Sequence, residues 1–174
     1  MNNLPSLLLV SLVAALWPEP AISQERRDIL PQMTLGVPAS ENDPNAIDQL
    51  IFAYKTAWSA QNTAVLMSLH SPDTEWINAY ARIFRGRELL GEFLDDRLFP
   101  QFDPNVSVRE IDNMKTISRR YVGDGGAVIH MYTDGDRGVS RKDTEDLRRT
   151  HIHLVLERQA GTWLIVHTAI MDAR

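Results

Sequence analysis

The feature that most constrains this chain is a change of period part-way along it. Before residue 100 apolar residues recur mainly at helical spacing, and after it they alternate in twos over four stretches, roughly 106 to 120, 126 to 134, 148 to 158 and 162 to 171. Most connections between those stretches are too short to hold a crossover helix, so the strands should run antiparallel. Helices first and strands last predict an α+β domain. The long polar connection from Asp134 to Leu147, with Gly135 and Gly138, reads as a surface hairpin or a lid.

The front of the chain divides by composition. Leu7 to Trp17 is almost wholly apolar and leads through Pro18 and Pro20 to Ala21-Ile22-Ser23, whose small residues suit cleavage after Ser23. Residues 1–23 are therefore expected to be a secretory signal peptide, which places the mature protein outside the cell or in a periplasm. The apolar run falls short of the roughly 20 residues that span a bilayer, so no stable membrane span is expected after processing. Residues 24–42 mix charges with Pro31, Gly36 and Pro38 and read as a linker or surface arm. Residues 43–174 read as a single domain.

Composition excludes several chemistries. The chain has no cysteine, which rules out disulfides, thiolate ligands and cysteine nucleophiles. Removing the leader takes away one acid and no base, leaving 22 acidic against 18 basic side chains, so no general attraction to nucleic acid is expected. There is no Gly-rich phosphate loop, no GxSxG elbow and no Ser/His/Asp arrangement. No cofactor is implied.

Asp43-Pro44 or Asn45 opens a helix whose Ile47, Leu50, Ile51, Tyr54 and Trp58 form one stripe, and Asn62 or Thr63 caps a second, short one. The run from Thr74 to Tyr80 alternates, with Trp76, Asn78 and Tyr80 on one side, and a further helix is expected from about Arg87 to Leu98. In the C-terminal hairpin a period of two puts His151, His153 and Val155 on one face of their strand. Trp163, Ile165 and His167 share a face of the next. Imidazoles can accept and return a proton near neutral pH, so His151, His153, His130 and His167 are candidates for a pocket base, or else lie on the outer sheet face. Three strand histidines can also meet a metal, although no HExxH spacing or carboxylate cluster supports that reading, and no metal is expected. His70, beside Pro72, reads as a surface residue at a helix end.

Three groups of residues carry a family resemblance. They are Ile51 to Asn62 with Leu66-Met67-Ser68-Leu69, then Trp76-Ile77-Asn78 with Gly86-Arg87-Glu88, and finally Arg149-Thr150-His151 through Val166. Together they resemble the nuclear transport factor 2-like superfamily, in its SnoaL-like and ketosteroid-isomerase-like branch, over roughly residues 45 to 172. The resemblance implies a cone-shaped, curved antiparallel sheet wrapped around the N-terminal helices, an internal pocket and a homodimer across the outer sheet face. It implies a role for Tyr54 as a donor to a substrate oxyanion. Asn78 stands where isomerase members carry the proton-shuttling aspartate, and His153, or His151, stands near a second oxyanion donor. An amide has no acid-base equilibrium near neutral pH, so an isomerase mechanism would need a histidine base.

Two classes of function follow. One is a small-molecule isomerase, cyclase or dehydratase working by general acid/base chemistry, with Tyr54, Asn78, His151 and His153 as catalytic candidates. The other is a non-catalytic binding protein for a small apolar or aromatic molecule, or a homo-oligomeric module. Trp58, Trp76, His130 and His167 are ligand-binding candidates for either.

Overall fold

The computed structural model describes residues 29–135 and 148–173, so the expected leader and most of the Asp134–Leu147 connection lie outside the described residues. Met33–Leu35 (β1) precedes helix α1 at Asp43–Ser59, which begins with Pro44 in its first turn. A short helix α2, Thr63–Ser68, starts at Asn62, whose side chain accepts from the Val65 amide at 3.1 Å. Strands β2 (His70–Ile77) and β3 (Ile83–Arg85) follow, then α3 (Arg87–Phe93), one π-helical turn over Leu94–Leu98 and a 3-10 turn over Phe99–Gln101.

The segment from 104 to 112 departs from expectation. It forms a helix, α4 at Pro104–Asp112, and only Lys115–Val122 is the strand β4. Asp103 accepts from the Asn105 amide at 2.8 Å and Pro104 occupies the first turn, so a capped start outweighs the strand preference of Val106, Val108 and Ile111. Strands β5 (Gly126–Gly135), β6 (Arg148–Gln159) and β7 (Thr162–Ala173) complete the chain.

All seven strands join one sheet in the order β1-β4-β5-β6-β7-β2-β3. This corrects the expected cone-shaped antiparallel sheet wrapped around N-terminal helices: the sheet is open and mixed. β1 and β3 are three-residue strands at opposite edges with no ladder between them, while β1 pairs parallel with β4 and β2 pairs parallel with β7. Alternation along each strand says which side chains share a face but not which neighbour a strand selects, and β2 takes its place beside the last strand. Nor are the helices all N-terminal, since α3 and α4 fall between β3 and β4.

The helices cover one face of the sheet. Ile47, Leu50, Ile51 and Tyr54 of α1 share a buried cluster with Ile129, Met131, Ile152, Leu154 and Ile165. Polar anchors set the helix on the sheet: Asp43 accepts from Arg158 at 2.8 Å and from the Trp163 indole at 3.3 Å, and buried Arg119 pairs with Asp48. These contacts satisfy the buried Asp43 carboxylate and tie the first turns of α1 to the sheet.

Candidate functional site

Between the helices and the sheet lies a cavity of about 70 Å³. Tyr54 and Trp58 reach it from α1, Trp76 and Asn78 from the end of β2, Ser107 and Glu110 from α4, and Thr150 and Ile152 from β6. Phe99 and Phe102, from the turns before α4, close one side, and Ala79 and Tyr80, in the turn after β2, another. Tyr54 stacks on Trp58 with ring centroids 6.1 Å apart, and Trp58 meets Phe99 edge-on at 5.6 Å. Such contacts hold large rings in defined positions and make the wall stiff as well as apolar.

Few polar groups face this space. The Trp58 indole N–H donates to Glu110 Oε2 at 3.1 Å, which fixes both side chains. The Tyr54 hydroxyl has no hydrogen-bond partner among the described residues, and burial, reinforced by the Glu110 charge, pushes its pKa above the ordinary tyrosine value. It therefore remains a neutral O–H donor. Asn78 lines the cavity, but its Oδ1 accepts from the Tyr80 and Arg82 amides, each at 2.9 Å, so that oxygen holds the turn after β2. Ser107 Oγ accepts from Gln61 at 3.1 Å.

The structure thus brings Tyr54, Trp58, Trp76 and Asn78 to one space and leaves the strand histidines elsewhere. On β6 the buried Thr150, Ile152, Leu154 and Leu156 face the helices, so His151 and His153 point to the other side. His130 pairs with His153 across β5 and β6 and belongs to the same face. A bulge adds Val166 between the Leu156–Ile165 and Val155–His167 pairs, which puts His167 on the side opposite buried Trp163 and Ile165 rather than with them. There, His167 Nδ1 lies 3.5 Å from Glu75 Oε1.

On that outer face His130 Nε2 and His151 Nδ1 are 2.7 Å apart, so one donates to the other, and the ring centroids of His130 and His153 are 4.2 Å apart. Burial first, and then the charges of His153 and His151, lower the His130 pKa to about 4, and burial lowers that of His153. Protonating one imidazole here disfavours protonating its neighbours. Among the described residues no group of three or more His, Asp or Glu side chains is arranged to hold a metal ion.

His70 also differs from expectation. It is buried rather than at the surface, its Nδ1–H donates to the Leu66 carbonyl at 2.7 Å, and burial lowers its pKa to about 4 against the opposing effect of that bond. The bend from α2 into β2 draws the ring inward beneath Tyr54, with centroids 6.5 Å apart. Among the cavity residues that sequence reasoning did not single out, Ser107 and Glu110 lie on α4 and escape it because 106–112 reads as strand; the Asp103-Pro104 start signal would have revealed the helix that carries them.

No family model and no curated protein matches the chain. Solved structures do. A ketosteroid isomerase-like protein from Erwinia carotovora atroseptica SCRI1043 superposes with a TM-score of 0.62 at 14% identity, covering 78% of this chain and 99% of that one. An uncharacterized protein with a cystatin-like fold from Caulobacter vibrioides gives 0.59 at 20% identity, over 75% of this chain and 89% of that one. An NTF2-like protein with a cystatin-like fold from Novosphingobium aromaticivorans gives 0.56 at 15% identity, over 75% and 82%. The chain has the NTF2-like, cystatin-like fold. At such identities the likeness is one of architecture and leaves function to the site.

Proposed function

We propose that this domain binds a small, largely apolar organic molecule in the cavity between α1, α4 and the sheet. One observation carries the reading: an aromatic-walled space in which the Tyr54 hydroxyl is left without a protein partner, so that a ligand oxygen would complete it. A volume of about 70 Å³ has room for about five to seven water-sized groups, which suits a single ring or a compact branched molecule and not a fused polycyclic one. The histidines on the opposite face cannot serve this space as bases, which weighs against the acid/base mechanism built on them.

A second reading rests on Glu110. Its carboxylate shares the cavity with Tyr54, so a base and an oxygen donor do face one space, as a small-molecule isomerase or dehydratase requires. Against it, Glu110 is held by the Trp58 indole, and Tyr54 is a weaker acid than an ordinary tyrosine. Export and a homodimer across the histidine face belong to the same proposal, with intact mass of exported protein and light scattering as their checks.

Phenol is a suitable first probe, being an apolar ring with one oxygen to meet Tyr54. Saturation-transfer NMR should show binding to the native protein and its loss in Ala79→Trp, which fills the cavity from a half-buried turn position without cutting into the core. Equal signal in both proteins, or none in either, would overturn the assignment.

A further inference from the structure

The walls of the cavity differ in how far they can yield. Among the described residues that line it, Tyr80 alone is exposed, at 68%, and the others are buried or half-buried. Tyr54, Trp76, Phe99 and Ile152 belong to the buried cluster, so none of those walls moves aside without opening the core. Tyr80 and its neighbour Ala79 stand instead on the turn that joins β2 to β3, where residues 79–82 are half-buried or exposed. Moving that turn disturbs far less apolar contact.

The backbone of the turn closes on one residue. Asn78 Oδ1 accepts from the Tyr80 and Arg82 amides at 2.9 Å each, its carbonyl accepts from the Ala81 amide at 2.9 Å, and its own amide donates to the Arg82 carbonyl at 3.0 Å. Ala81 has a φ of 59°, in the left-handed region that a β-carbon disfavours and glycine tolerates. The closed turn is thus held by Asn78 against strain at Ala81, and opening releases that strain as it breaks those bonds. Both flanks are anchored. The rings of Trp76 and Phe84 lie 5.7 Å apart, and the Arg82 guanidinium sits 5.4 Å from the Phe84 ring and 5.5 Å from that of Phe93. Such flanks leave residues 79–81 as the part that swings.

We propose that the turn over residues 78–82 is the gate of the cavity, with Asn78 as its latch and Ala81 as the strained hinge that sets how readily it opens. This rests on the small-molecule reading above and assigns the route into and out of that same site. Asn78 is a positioning residue in this role, acting through the turn it holds. The gate has a kinetic signature. Where the empty and the occupied protein share the closed turn, a change in the cost of opening scales entry and exit alike and leaves their ratio, the affinity, unaltered.

Both rates can be read from NMR line shapes as phenol is titrated into the full chain. Ala81 is exposed and lies outside the cavity lining, so its variants alter the turn and not the wall. Ala81→Gly relieves the strain of the closed form and should slow entry and exit together by threefold or more. Ala81→Val puts a β-branched residue at a left-handed position and should speed both by a similar factor. Affinity should stay within twofold in each. Asn78→Ala, which releases the Tyr80 and Arg82 amides, should speed exit at least as much as Ala81→Val. If phenol binds at rates that neither Ala81 substitution moves, if only one of the two rates changes, or if exit from Asn78→Ala is no faster than from the native protein, the gate fails and the binding reading stands. Absence of phenol binding to the native protein overturns both.

Discussion

Strand β6 faces two different worlds, and the contrast between them explains more about this protein than either alone. Towards the helices it sends Thr150, Ile152, Leu154 and Leu156, all buried, two of which wall the cavity. Away from them it sends His151 and His153, half-exposed beside His130. The chemically versatile residue type gathers on the side without helices, where its members interact mainly with one another. The cavity instead has a few isolated polar groups set in aromatic surroundings. Reactive composition and an enclosed site therefore need not coincide, because a period of two divides neighbours between faces with no regard to their chemistry.

The contrast breaks most directly by truncating adjacent positions on that strand. Leu154→Ala leaves a hole in a fully buried cluster and should cost about 2–5 kcal/mol in denaturant unfolding. His153→Ala, one residue away on the other face, should cost under about 1 kcal/mol, because the side chain is half-exposed and its Nε2 has no hydrogen-bond partner among the described residues. Comparable losses from the two would show that both faces carry packed core.

A titration sharpens the same comparison on the helix side. Buried His70 has a folded pKa of about 4, below the roughly 6.5 of an unfolded histidine, so the unfolded chain binds the proton more readily. Its contribution is fully present above pH 6.5, declines as the pH falls towards 4, and is flat below that. The difference corresponds to on the order of 3 kcal/mol. His70→Asn keeps a donor near the Leu66 carbonyl and should flatten the stability profile between pH 6.5 and 4, as followed by urea midpoints. His130 acts in the same direction, but it is more exposed, so His130→Gln should flatten the profile less. A larger effect at His130 would reverse the ranking of the two faces.

What could be read in advance follows the same division. The α1 stripe, the Asn62 cap and the shared face of His151 and His153 are local consequences of period and capping, and they appear in the fold. The mixed, open sheet was not legible, because the partnership of β2 with β7 joins segments some ninety residues apart. His167 was misplaced by one inserted residue, Val166, for which periodicity has no mark. Glu110 was hidden by a run of β-branched neighbours, although Asp103-Pro104 repeats the Asp-Pro signal that opens α1. Its approach to Trp58 is a tertiary fact.

Within the cavity, Tyr54→Phe should change stability by less than about 1 kcal/mol, since the hydroxyl has no partner among the described residues and the ring is kept. Its effect should appear in binding: phenol should lose roughly threefold to tenfold in affinity, the worth of one neutral hydrogen bond, by titration calorimetry. An unchanged affinity would remove Tyr54 from the site and leave Glu110 as its polar determinant.

The smallest effect is the most discriminating for the two-face description. His151→Gln alters the outer imidazole cluster, where His151 Nδ1 meets His130 Nε2 at 2.7 Å, but touches none of the groups around the cavity. The intervening backbone is held in register on both sides, His151 opposite Tyr132 and opposite Met171, so loss of one imidazole has little means of shifting Thr150 or Ile152. Phenol affinity should stay within about twofold, equivalent to roughly 0.4 kcal/mol. A tenfold loss would mean that the sheet transmits the state of its histidine face to the cavity, and would return the strand histidines to the site from which their direction now separates them.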